Sequence, residues 1–271
     1  MAFDPVRLKA VRKRWSTALE LMLGPATERM LTSAAIGAAM SVLDVAAGAG
    51  DQTLRAANRV GPGGRVLATD ILDEALQFAA TEAHSRGVGN VEFRAMPCER
   101  LTGGDASFDA AICRNGLQYL SDLPKGLAEI HRVLKPQSKF AAVVWSAPEC
   151  NKFLSQSFSI AYRKLQVQPP TPDEPGPFRL GYGTSLRAAL EGAQFRDVDV
   201  VGVTAPAVFA STSDALEFQQ QAMGVLTQLL EDLSDAERAE LWREVEGALR
   251  AFDHDGSFFA DGELLVGSGT K

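Results

Sequence analysis

Asp44, Gly48, Gly50 and Asp70 have the types and spacing needed to hold a nucleoside-like ligand. Glycines at 48 and 50 open backbone torsions closed to other residues and let a ligand approach the main chain with no side chain in the way. Asp70 stands twenty positions beyond Gly50, where an acid on the next strand can accept both hydroxyls of a ribose. Asp51 and Gln52 begin a helical pattern through Leu54, Ala56 and Ala57, whose free amides would point into the turn.

Dinucleotide dehydrogenases share this layout, so the layout alone leaves the cofactor open. Two details separate the possibilities. A dinucleotide fingerprint wants a third small residue at position 53, and this chain has Thr53. Asp44 puts a carboxylate just ahead of the turn, where it would repel a pyrophosphate and attract an ammonium group. S-adenosylmethionine combines a ribose for Asp70, an adenine for the apolar Ile71 and Leu72, no phosphate, and a cationic amino-acid tail for Asp44.

Further along, four segments fall in order: Asp44-Val-Ala-Ala-Gly48-Ala-Gly50-Asp51, Ser107-Phe-Asp-Ala-Ala-Ile-Cys-Arg-Asn115, Leu127-Ala-Glu-Ile-His-Arg-Val-Leu-Lys-Pro136, and Lys139 to Trp145. With these the chain resembles the class I methyltransferases, in particular the branch that includes the ubiquinone and menaquinone biosynthesis methyltransferases. The resemblance covers residues 41 to 146. It implies a Rossmann-like, doubly wound α/β fold with a seven-stranded sheet and an antiparallel last strand, and a turn in which Ala46, often glycine in the family, joins Gly48 and Gly50 around the cofactor.

The third strand departs from the family, which usually shows an acid, alanine and glutamate where this chain has Pro97, Cys98 and Glu99. Proline cannot accept from the adenine amino group, which leaves the Cys98 backbone amide and apolar packing by Met96 as the expected adenine contacts. After the fourth strand the resemblance implies a tail-binding and acceptor-bordering segment, Arg114 to Tyr119. There Arg114 is expected to engage the tail carboxylate, Asn115 to join the cofactor site, and Gln118 or Tyr119 to orient substrate. Trp145 is the expected pocket wall. Of three histidines, His84 and His131 sit in helical patterns, and His254 is the one candidate base, with Tyr119 the second catalytic candidate.

Elements that would position these residues follow from periodicity. Strands ending near Ala46, Thr69, Ala95, Cys113 and Trp145 alternate with helices, which predicts a doubly wound core with its ligand beyond the strand ends. Residues 1–40 read as helices, and the resemblance makes them a lid. Pro169 to Pro177 holds five prolines in nine residues and predicts a loop. Helices are predicted over Phe153–Leu165, Thr184–Leu190 and Asp214–Phe252, and strands over Asp197–Val203 and Glu263–Val266. Segments 148–180 and 205–255 then read as insertions that build a substrate pocket, so 147–271 is expected to complete the same domain.

Composition narrows the function classes. With 27 Lys+Arg against 34 Asp+Glu the net charge is −7, and only the short Arg7 to Arg14 patch is basic, which disfavours a nucleic-acid substrate. Cys98, Cys113 and Cys150 lack the paired spacing of a zinc site, and no metal is expected. The charged N-terminus does not read as a signal peptide and no run reaches the roughly 20 apolar residues of a membrane span, so a cytoplasmic protein is expected. The reading is an enzyme that transfers a methyl group from S-adenosylmethionine to a small, fairly apolar molecule. The alternatives are a non-catalytic cofactor-binding protein and an NAD(P)-dependent oxidoreductase.

Overall fold

The computed structural model describes residues 5–254 and 256–271; Asp255, which follows the candidate base His254, lies outside them. Two helices open the chain, α1 (Pro5–Arg14) and α2 (Ser16–Ser33). Next comes β1 (Ser41–Val45), buried at every position, as a central strand covered on both faces must be. Then α3 (Asp51–Val60), β2 (Arg65–Asp70), α4 (Asp73–Ser85), β3 (Val91–Ala95), β4 (Phe108–Arg114), α5 (Leu123–Val133) and β5 (Leu134–Trp145) alternate as the periodicity predicts. The remainder is α6 (Lys152–Leu165), α7 (Gly183–Gly192), β6 (Arg196–Thr204), β7 (Ala207–Phe209), α8 (Thr212–Ala222), α9 (Gly224–Leu229), α10 (Asp235–Leu249), β8 (Asp253–His254), β9 (Ser257–Ala260) and β10 (Glu263–Thr270).

Seven strands form one sheet in the order β3-β2-β1-β4-β5-β10-β6. β1 pairs in parallel with β2 on one side and β4 on the other, while β10 runs antiparallel to β5, from Leu264 opposite Trp145 to Thr270 opposite Lys139. This is the Rossmann-like sheet with an antiparallel last strand that the sequence implied. β5 starts earlier than its apolar run: Leu134 pairs with Phe108, and the register then jumps to Ala110 opposite Lys139. Pro136 sits in that irregularity, one of the few places a ladder tolerates proline.

The long helical region expected over 214–252 is three helices. α8 stops before Gly224, a residue that disfavours helix interiors, and α10 restarts at a capping box in which Ser234 and Glu237 satisfy each other's backbone amides. A small three-stranded sheet, β7-β9-β8, was not anticipated; strands of two to four residues leave too short an alternation to read.

The chain divides into two compact units. One holds the described residues up to Pro25 with Ala147–Thr171 and Thr204–Glu263; the other holds Ala26–Ser146, Pro172–Val203 and Leu264–Lys271. The division between Pro25 and Ala26 falls inside α2. The first unit is built on rings: Phe209 lies 5.0 Å from Phe218 and 5.8 Å from Trp15, and Phe153 lies 5.6 Å from Phe258. Gln219, buried among them, is satisfied by Ser157 and by the Phe153 carbonyl, as a polar group in an apolar core must be. In the second unit, Val45, Cys113, Phe140 and Val144 of the sheet share one core with Leu127 and Ile130 of α5 and Leu186 and Leu190 of α7. No helix among the described residues is long and apolar enough to cross a membrane.

Candidate cofactor and acceptor site

The turn between β1 and α3 lies at the carboxyl ends of the parallel strands. Ala46, Gly48 and Gly50 all take positive φ, at 55°, 53° and 81°. Gly50 has no alternative: a Cβ there would stand 2.7 Å from the Cβ of Ala79 on α4. At Gly48 a Cβ would meet nothing within 4 Å, so the main chain there borders open space. Asp70 ends β2 beside it, its Oδ2 accepting from the Gly48 amide at 2.8 Å and its Oδ1 from Leu72 at 3.0 Å. One bond per oxygen leaves the carboxylate with acceptor capacity. Ile71 and Leu72, just past it, are 73 % and 56 % exposed, apolar side chains left uncovered beside a polar seat.

Asp44 differs from its expected role. It has no exposed surface; Thr53 donates to its Oδ2 at 2.5 Å and the Gln52 amide to its Oδ1 at 3.3 Å. An ammonium ion cannot reach it in this arrangement. Burial pushes its carboxyl up to about 7, with Thr53, Gln52 and Arg114 opposing the shift. Thr53, read in the sequence as a missing small residue, is the group that clamps this acid. Gln52 also reaches the carbonyls of Ala46 and Ala47, so a single amide ties the underside of the turn together. Its place at the second position of a helix gave no hint of that.

Arg114 also differs. Its Nη1 donates to Thr27 of α2 at 2.9 Å and to Asp51 at 3.0 Å, and only 11 % of its side chain is exposed. It pins the first residue of α3 to α2, instead of standing open to a carboxylate. Met96 turns into the core with Leu43 and Val45, its sulfur facing the Thr102 hydroxyl and amide. Cys98 is buried and its thiol is pushed up to about 12 by burial and by Glu99 and Glu129. Its backbone amide opens a 3-10 turn, where helical geometry leaves an N–H without an internal acceptor.

After β4 the backbone turns left-handed again at Asn115, φ 55°, a conformation that asparagine tolerates better than most residues. The next residue is locked to the first turn: a Cβ on Gly116 would lie 2.4 Å from the Ala46 Cβ and 2.8 Å from Cys113 Sγ. Gln118 is fully buried; its Nε2 donates to Asn115 Oδ1 at 3.4 Å, and its Oε1 has no partner. It supports Asn115. Tyr119 is half-buried. Trp145, opposite Leu264 in the sheet, is buried. A tether absent from the sequence reading fixes this segment, as Gly176 donates to the Gln118 carbonyl at 3.0 Å and Arg179 to that of Leu120 at 2.6 Å.

His131 packs edge-on against Phe195, 5.1 Å between ring centres, which is the structural role expected for it. His254 lies in the other unit, on an exposed two-residue strand. Nothing among the described residues orients its ring, so it lacks the partner that would hold a general base in place.

Residues 36–162 match the model of a family described as a methyltransferase domain. This stretch carries the glycine turn, Asp70 and the segment after β4. It is similar to a methyltransferase domain. Within it the chain is similar to ubiquinone/menaquinone biosynthesis C-methyltransferases: 35 % identical over 129 residues to that of Marinomonas sp., covering 47 % of this chain and 51 % of the relative, and 34 % over 126 residues to that of Hahella chejuensis, covering 46 % and 50 %. The chain thus spans about half the length of the curated relatives it matches. Solved structures extend the likeness of fold beyond the matched stretch. The YcgJ protein of Bacillus subtilis superposes with TM-score 0.60 at 21 % identity, over 91 % of this chain and 97 % of that one. A putative methyltransferase of Bacillus halodurans gives 0.61 at 20 %, over 90 % and 98 %. The cyclase SpnF gives 0.57 at 20 %, over 90 % and 79 %, so this fold alone does not fix a chemistry.

Proposed function

We propose that this chain binds S-adenosylmethionine at the ends of β1 and β2 and transfers its methyl group to a small, fairly apolar molecule. The observation that carries the reading is the seat beside Gly48. Open space borders a side-chain-free main chain, a carboxylate with spare acceptor capacity stands next to it, and two exposed apolar side chains follow. A ribose suits Asp70, an adenine face suits Ile71, and the Cys98 amide suits a ring nitrogen. The cofactor would supply an electrophilic methyl group.

The chain's own part is positional. Gly116 packs directly on Ala46 and so holds the two strand-end turns against each other, and holding reactants at about 3 to 3.5 Å supplies much of the acceleration of such a displacement. Tyr119, half-buried after β4, is the candidate to orient the acceptor. We assign no general base, since neither His131 nor His254 has the required setting. Asp44 and Arg114 act as positioning residues that shape the turn. The three free cysteines suit a reducing, cytoplasmic setting.

Titration calorimetry with S-adenosylhomocysteine tests the reading. Micromolar binding is expected, and Asp70→Ala should weaken it about tenfold or more, as loss of a charge-assisted bond implies. Binding of NAD in its place, or an affinity untouched by the substitution, would overturn the assignment. The absence of an oriented base leaves a second reading, binding without transfer. Labelled-methyl transfer to a panel of phenols, amines and quinones separates the two.

A further inference from the structure

Away from the strand-end turns, the second unit contains a cavity of about 670 Å³ between α5, the loop 172–180 and α7. None of Asp44, Asp70, Asn115 or Tyr119 lines it. Its volume lies in the range of small-molecule pockets, and its make-up follows their pattern of apolar walls with a few convergent polar groups. Leu127, Leu180, Ala189 and Ala193 are apolar walls, and Arg179 is the cation lining it. The Nη1 of Arg179 is fixed on the Leu120 carbonyl at 2.6 Å. That anchors the guanidinium while leaving further N–H donors of its planar fork, a geometry that suits a carboxylate or sulfonate.

Two neighbours sharpen the preference. His131 lines the wall, and burial together with Lys271 and Arg196 holds its pKa below the usual range, so near neutrality it adds polarity without charge. Asp173 is the one exposed acid on the lining and disfavours a second anionic group at its end. The loop wall contains Pro172, Pro175 and Pro177 and is anchored through Gly176 to the Gln118 carbonyl. A wall with so little freedom loses little entropy when a ligand settles against it.

We propose that this cavity is a second small-molecule site, separate from the strand-end site, for an organic anion with an apolar body and a single acidic group directed at Arg179. The inference does not depend on methyl transfer. The probe is 1-anilinonaphthalene-8-sulfonate, titrated by fluorescence into the full chain with saturating S-adenosylhomocysteine present. Saturable one-site binding is expected, weakened about tenfold by Arg179→Gln and abolished by Ala188→Trp, an exposed helix position on the cavity's edge. Circular dichroism confirms that both variants fold. Non-saturable binding, displacement of the probe by S-adenosylhomocysteine, or equal affinity in both variants would overturn the proposal. A chain that fails to bind S-adenosylhomocysteine yet keeps Arg179-dependent probe binding would break the proposed function and leave this site standing.

Discussion

The turn after β1 and the turn after β4 face the same backbone demand and meet it in opposite ways. Each places a non-glycine residue in the left-handed region at the end of a central parallel strand, Ala46 in one and Asn115 in the other. The first is secured from within: Gln52 and Thr53 on the adjoining helix satisfy Asp44, and Asp70 comes from the neighbouring strand. The second is secured from far along the chain, by Gly176 and Arg179, and it leaves the Oε1 of Gln118 buried and unpaired. A buried acceptor without a donor costs stability. The first turn is thus closed by local chemistry, whereas the second depends on a distant loop and keeps a weak point.

The largest expected effect breaks the first turn. Gly50→Val puts a Cβ at φ 81° and 2.7 Å from Ala79. Left-handed strain of about 1–2 kcal/mol and overpacking of about 1–3 kcal/mol should add, lowering the melting midpoint by roughly 4 °C or more. Scanning calorimetry measures this, and an unchanged midpoint would mean that α4 yields freely.

Next comes the buried acid. Burial raises the folded pKa of Asp44 to about 7 from an ordinary 3.8, so between those values the folded state keeps a proton that the unfolded chain has lost. Stability from this group therefore falls as pH rises from about 4 to about 7 and is then level. Asp44→Asn removes that slope. Comparing urea midpoints of the two proteins from pH 5 to pH 8 should reveal a relative loss in the parent chain of order 2 kcal/mol; parallel profiles would show the acid ionised throughout.

The smallest effect links the turns. Gly116→Ala collides with Ala46, and Ala46→Gly should relieve the collision, so the double variant should be more stable than the sum of the singles by about 1 kcal/mol. Strict additivity in denaturant unfolding would mean that the turns are independent.

These contrasts also explain which parts were legible in the sequence. The alternation of β1 to β5, the left-handed glycines of the first turn and the position of Asp70 at the end of β2 are legible because each signal lies within some thirty residues and reflects a local demand, such as apolar runs for buried strands or glycine for positive φ. The small β7-β9-β8 sheet was missed because its strands are too short to show alternation. At Asp44 and Arg114, type and position suggest charge recognition, and the structure gives both side chains protein partners. Whether a charge faces a ligand or a neighbouring side chain depends on burial, and no residue spacing encodes that.

By itself the sequence determined the doubly wound sheet, the glycine turn after its first strand and the place of Asp70 at the end of the second, because these follow from periodicity and from backbone freedom at single positions. Only the tertiary structure decided that Thr53 and Gln52 occupy Asp44, that Asp51 and Thr27 occupy Arg114, and that Arg179 both tethers the second turn and lines a cavity. Such partnerships depend on distances across folded elements, where a hydrogen bond forms or fails within a few tenths of an ångström.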